Sequence, residues 1–158
     1  MTERSVTHAS FTLERRYPAS PSRVFAAWAD PAIKPRWFGD ADDNDDVREY
    51  RLDFKVGGRE WAAGMAPNNV SYTYDALYQD IVPDERIVYT YEMHIGEPRV
   101  SVSLSTVELR PDGAGTRLLY TEYGAFLDGL DDPKAREEGT VFLLDALGKY
   151  LQSERATV

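Results

Sequence analysis

Apolar and polar residues change their rhythm along this chain, and the changes divide it into elements. Phe11, Leu13 and Arg15 alternate with Thr12, Glu14 and Arg16, which predicts a strand closed by Pro18. Ser20-Pro21 then reads as a helix start, with serine as the N-cap and proline at the first helical position. Val24, Phe25 and Trp28 share a side of that helix, and Asp30-Pro31 ends it. A second short helix is expected from Pro31 to about Phe38, stopped by Gly39. From residue 47 to about 126 the period is two. Strands are expected over 47–54, 59–65, 72–82, 86–94, 100–105 and 118–123, separated by turn signals such as Pro111-Asp-Gly-Ala-Gly115. The last segment reverts to helical spacing. Val141, Leu144, Leu147, Gly148 and Leu151 form a stripe, widened by Phe142, Leu143 and Tyr150, in a helix near residues 136–153.

Consecutive hairpins imply an antiparallel sheet. The long last helix is the one element able to cover its apolar face. The fold class is therefore α+β: a twisted antiparallel sheet around a long C-terminal helix, with two short helices after the first strand. One unit over 1–158 is expected, with a core of about 9–153.

Composition narrows the chemistry. The chain has 158 residues, no cysteine and two histidines, His8 and His94, which excludes thiolate chemistry and makes a histidine-rich zinc site improbable. A net charge of −9 with no basic run argues against nucleic acid and an anionic membrane surface. No apolar run approaches a membrane span, and MTERSVTHAS lacks a signal-peptide core, so a cytoplasmic location is expected. Asp40 to Asp46 has carboxylates at alternate positions, but Asp45 and Arg51 stand where a calcium loop needs glycine and glutamate. It reads as a solvated, metal-free acidic loop.

The aromatic content, 12%, is the main functional clue. Tyr72, Tyr74 and Tyr78, with Tyr89, Tyr91, Met93 and Tyr120, fall on strand positions where they can line one sheet face. Tyrosine offers a ring for packing and a directed hydroxyl. The alternative is that these rings only fill a core. Glu122 shares parity with Tyr120. Inward, it is a candidate general acid or base; outward, it is an ordinary surface carboxylate. His94, opposite in parity to Met93, is the other catalytic candidate, while His8 is expected in a fraying tail. Arg59, Arg86 and Arg117 at strand ends could clamp an acidic ligand or pair with surface carboxylates.

Several stretches carry a family resemblance: Tyr17-Pro-Ala-Ser-Pro-Ser-Arg-Val-Phe-Ala-Ala-Trp28, Asp30-Pro31, Trp37-Phe-Gly39, Asp53-Phe-Lys-Val-Gly-Gly58, Asp80-Ile-Val-Pro-Asp-Glu-Arg-Ile-Val-Tyr-Thr90, Gly115-Thr-Arg-Leu118 and Gly139. Together they resemble the START-like, or Bet v 1-like (SRPBCC), superfamily with its helix-grip fold, in the branch of the activator of heat-shock-protein-90 ATPase homologues, often grouped with polyketide cyclases. Two positions depart from that pattern: Thr140 replaces an aromatic, and Trp61 stands one place after the expected aromatic. The resemblance implies a cavity between sheet and last helix that holds an apolar or aromatic small molecule. Trp37, Phe38, Trp61, Tyr74, Tyr89, Tyr91, Met93, Tyr120 and Phe142 are then the ligand-binding candidates. Trp28, Trp37 and Phe38 would form its rim, and Phe142 would close it. A cyclase or hydratase using Glu122 or His94, and a chaperone-cofactor interaction module, are the alternatives. No cofactor is expected. Partners are a small molecule and, as an open alternative, a second copy in a homodimer.

Overall fold

The computed structural model describes residues 3–38, 46–65 and 69–156. The acidic run over 40–45 lies outside them, as does most of the Pro67-Asn68-Asn69 turn.

Strand β1 runs over Val6–Tyr17, longer at its start than alternation predicts. His8 therefore lies within a strand, correcting its assignment to a fraying tail. The extension is hydrogen-bonded to the last strand, with His8 opposite Ala125. Helix α1 (Pro21–Ala29) starts as expected: the Ser20 side chain accepts from the Arg23 backbone N–H, and Pro21 needs no partner there. Val24, Ala27 and Trp28 turn inward. The expected second helix shrinks to a single 3₁₀ turn, Lys34–Arg36. Pro35 lacks the N–H that would continue an α-helical ladder.

Strands β2 (Asp46–Leu52), β3 (Arg59–Met65), β4 (Ser71–Val82), β5 (Arg86–Ile95), β6 (Arg99–Asp112) and β7 (Gly115–Leu127) follow as an antiparallel meander. β1 adds to β7, giving the order β1-β7-β6-β5-β4-β3-β2. Irregularities at Val47/Glu49, Tyr78/Asp80 and Met93/His94 interrupt the ladders, and such bulges bend and twist a sheet. The β6–β7 hairpin turns on Gly113, whose φ of 61° suits a residue without a Cβ.

Helix α2 spans Pro133–Ala156, three residues longer at each end than the stripe suggests. Gly139 thus lies inside it. Leu144, Leu147 and Leu151 are buried against the inner sheet face, joined there by Tyr17, Val107, Leu109 and Leu118. The Tyr17 hydroxyl donates to the Leu144 carbonyl at 2.8 Å, tying β1 to the helix. The result is a seven-stranded antiparallel sheet with one face covered by a long C-terminal helix, as expected. None of the described helices is long and apolar enough to cross a membrane.

Candidate functional site

Alternation along five neighbouring strands brings one set of side chains to the inner face. β3 supplies Glu60 and Ala62; β4 supplies Tyr74, Ala76 and Tyr78; β5 supplies Tyr89 and Tyr91. β6 adds Ser101, Ser103 and Ser105, and β7 adds Tyr120, Glu122 and Phe126. The tyrosine rings form a continuous layer. Tyr74 and Tyr91 stand 5.0 Å apart, Tyr89 and Tyr91 6.1 Å, and Tyr78 and Tyr89 5.9 Å.

Two carboxylates are sunk into this layer, each within reach of three donors. Glu60, with no exposure, receives Lys34 Nζ at 2.7 Å, the Tyr78 hydroxyl at 3.0 Å and the Tyr50 hydroxyl. Lys34 is itself buried, and its ammonium lies 4.4 Å from the Phe38 ring centre and 5.3 Å from that of Trp28. Burial pushes this ammonium below the ordinary lysine range, against the opposing pull of Glu60. Glu122 receives the Tyr120 hydroxyl at 2.7 Å, Tyr91 at 2.8 Å and Ser105 at 3.0 Å. With Tyr120's hydrogen given to Glu122, Tyr89 is the donor in its 3.3 Å contact with Tyr120. Arg136 of α2 roofs this second cluster. It donates to Tyr91 Oη and Ser101 Oγ and pairs with Asp131 at 2.6 Å.

The phenols of Tyr74, Tyr78, Tyr89, Tyr91 and Tyr120 all ionise well above the usual tyrosine range, chiefly because burial disfavours phenolate, with neighbouring carboxylates adding to the effect. They act here as neutral donors, Tyr78, Tyr91 and Tyr120 to the two carboxyl groups and Tyr89 to Tyr120. Tyr74 is the exception. Its hydroxyl is buried and, among the described residues, has no hydrogen-bond partner. Its ring lies between Tyr91 and Phe38, the latter 5.3 Å away. Ser103 Oγ and Trp28 Nε1 on the same side are also unpartnered.

The structure thus brings together Tyr74, Tyr89, Tyr91, Tyr120 and Glu122, with Met93 and Phe38 half-buried at their border. Three expected members stand elsewhere. Trp61 lies on the opposite face, because Glu60 takes the inward position beside it. Phe142 is 43% exposed on the solvent side of α2, since Leu144, Leu147 and Leu151 form the buried edge. Trp37 is fully buried rather than at a rim: its indole N–H donates to the Ala27 carbonyl at 2.9 Å and its ring packs edge-on to Trp28. Trp28 is buried with it. His94 sits half-buried beside the irregularity at the end of β5, away from the carboxylates. Arg59, Arg86 and Arg117 pair with Asp75, Asp80 and Glu14 at the surface, so no acidic ligand is needed to explain them.

Lys34, Glu60, Ser105 and Arg136 escaped the reading of the sequence. Lys34 and Arg136 look like surface cations in their local context. Glu60 did carry a signal: it occupies the place where the resembling family has an aromatic, and so an inward position.

A family model described as Activator of Hsp90 ATPase homolog 1-like protein matches residues 18–152. A solved protein from Rhizobium loti is 52% identical over 92% of this chain and 99% of its own, with a TM-score of 0.85. One from Rhizobium leguminosarum is 41% identical over 96% and 99%, with a TM-score of 0.92. An AHSA1-like protein from Aeromonas hydrophila, 18% identical over 92% and 94%, shares the fold with a TM-score of 0.70. No curated protein matches the chain.

Proposed function

Since the chain belongs to the family of Activator of Hsp90 ATPase homolog 1-like proteins, within the START-like or Bet v 1-like superfamily, we propose that it binds a small aromatic or largely apolar molecule between the inner sheet face and α2. The observation that carries this reading is the Tyr74 hydroxyl, buried among aromatic rings and without a hydrogen-bond partner among the described residues. Leaving such a group unmatched costs about 1–3 kcal/mol, and a ligand oxygen or N–H would recover that cost. The neighbouring hydroxyls of Tyr91 and Tyr120 are already committed to Glu122, so selection falls to Tyr74. A ligand burying a few hundred Å² of apolar surface gains several kcal/mol, at about 25 cal/mol per Å², before the costs of association.

The test is a fluorescence titration with planar aromatic compounds, each offered as the parent hydrocarbon and with one hydroxyl or carbonyl. At least one oxygen-bearing compound is expected to quench the buried tryptophans. Tyr74→Phe should weaken that compound about tenfold, worth about 1.4 kcal/mol, and leave its hydrocarbon parent unchanged. Absence of any binder, or equal losses for both members of the set, would overturn the proposal.

A further inference from the structure

Hydrogen bonding on the inner face is unbalanced toward donors. The two buried carboxyl groups, Glu60 and Glu122, each already take three. Several donors are left over. The Tyr74 and Ser103 hydroxyls have no partner among the described residues. Ser101 accepts from Arg136 and gives its own hydrogen to none of the described residues. A guanidinium has five N–H groups, and Arg136 spends three of them, on Tyr91 Oη at 3.1 Å, Ser101 Oγ at 2.9 Å and Asp131 at 2.6 Å, which leaves two.

These spare donors surround one ring. Tyr74 and Tyr91 have ring centres 5.0 Å apart, and the Arg136 guanidinium stands 5.6 Å from the centre of the Tyr91 ring. Ser103 is directly opposite Tyr91 in the β5–β6 ladder. A buried donor without an acceptor is costly, so a molecule suited to this layer brings acceptors. The charges narrow the kind. Three carboxyl groups, Asp131 before α2, Glu122 on β7 and Glu60 on β3, stand against two cations, Arg136 and Lys34, each already paired. Nothing there favours a further anion. A ligand amine or hydroxyl would add donors where donors are in surplus. A carbonyl oxygen accepts up to two hydrogen bonds and brings no hydrogen of its own.

On the basis of the binding reading above, we propose that the ligand is a neutral aromatic compound with carbonyl oxygens at two places, one taken by Tyr74 and the other by Arg136, and with no O–H or N–H at those ends. Arg136 is then a specificity-determining residue of the site. Titration calorimetry with one benzene skeleton tests this, using para-diacetylbenzene, the diol from its reduction, para-diethylbenzene and terephthalate. The diketone is expected to bind at least about tenfold more tightly than each of the other three. Arg136→Lys keeps a cation beside Asp131, but the three N–H groups of an ammonium are used up by the three existing partners. It should weaken the diketone about tenfold and leave para-diethylbenzene unchanged, whereas a merely structural role would weaken both alike. The ranking of the four compounds needs no variant, so the test stands even if Arg136→Lys fails to fold. If para-diethylbenzene binds as well as the diketone, the apolar site stands and this inference falls. The diol or terephthalate binding as tightly as the diketone overturns it too. If none of the four binds, it falls, and the binding reading falls with it only if the planar aromatic compounds above also fail to bind.

Discussion

Alkali should unfold this protein abruptly, and the buried tyrosines set where. Tyr17, Tyr74, Tyr78, Tyr89, Tyr91 and Tyr120 are each at most 7% exposed, and burial raises the pKa of every one above its ordinary value of 10. A group whose folded pKa is raised contributes stability in full below its unfolded pKa and loses it as pH rises beyond. Here the loss begins near pH 10, when the unfolded chain releases phenolic protons that the fold retains. At about pH 11 each such group has lost RT ln 11, or about 1.4 kcal/mol, and six together about 8 kcal/mol. That is comparable with the whole stability of a domain, about 5–15 kcal/mol. Lys34 works the other way, since its folded pKa is depressed and stability is gained as pH climbs toward the unfolded value, but it is one group against six. The assay follows tyrosinate absorbance and near-UV circular dichroism along one pH series. The six buried rings should ionise together in a single transition near pH 11 that coincides with loss of the near-UV signal. Six phenols ionising near pH 10 while the near-UV spectrum stays native would refute the reasoning.

Two further expectations concern stability. Lys34→Met leaves Glu60 buried with tyrosine donors but no cation, and should cost about 3–5 kcal/mol in urea unfolding; adding Glu60→Gln, which removes the charge but keeps an acceptor, should restore most of that loss. Gly58→Ala would bring a Cβ to 2.1 Å from the Asp53 carbonyl oxygen and 3.0 Å from that of Lys55, so the turn before β3 must open, at a cost of about 2 kcal/mol or more in thermal unfolding. An unchanged melting temperature for Gly58→Ala would count against the tight turn.

The element order was legible because it rests on local signals: the Ser20-Pro21 cap, the Gly113 turn and the switch of period before α2. The second short helix was overestimated because Pro35 breaks the ladder there. The site was legible only in part. Tyr74, Tyr89, Tyr91 and Tyr120 share a face by parity, which any strand alternation reveals. The ionic partners did not follow, because Lys34 reaches Glu60 from the far side of a residue gap of 26, and Arg136 reaches Ser101 across one of 35. No local period carries such information.

Strand β6 makes the limit of that kind of inference clear. Its run Val100-Ser-Val-Ser-Leu-Ser105 alternates cleanly, so parity separates three serines from three apolar residues. Hydrophobicity alone would turn Val102 and Leu104 inward. The structure does the reverse: Ser101, Ser103 and Ser105 are buried, and Val102 and Leu104 are exposed. The reason lies on neighbouring elements. Glu122 enters the layer from β7 and takes a hydroxyl from Ser105, while Arg136 descends from α2 and donates to Ser101. Larger apolar side chains at those positions would strip both charges of a partner and crowd Gly124, where even a Cβ would stand 3.2 Å from Ser103 Oγ. The polar interior and the apolar exterior of β6 are therefore one feature. Serving the buried carboxylate and guanidinium turns the serines in, and the strand's period of two then leaves Val102 and Leu104 outside.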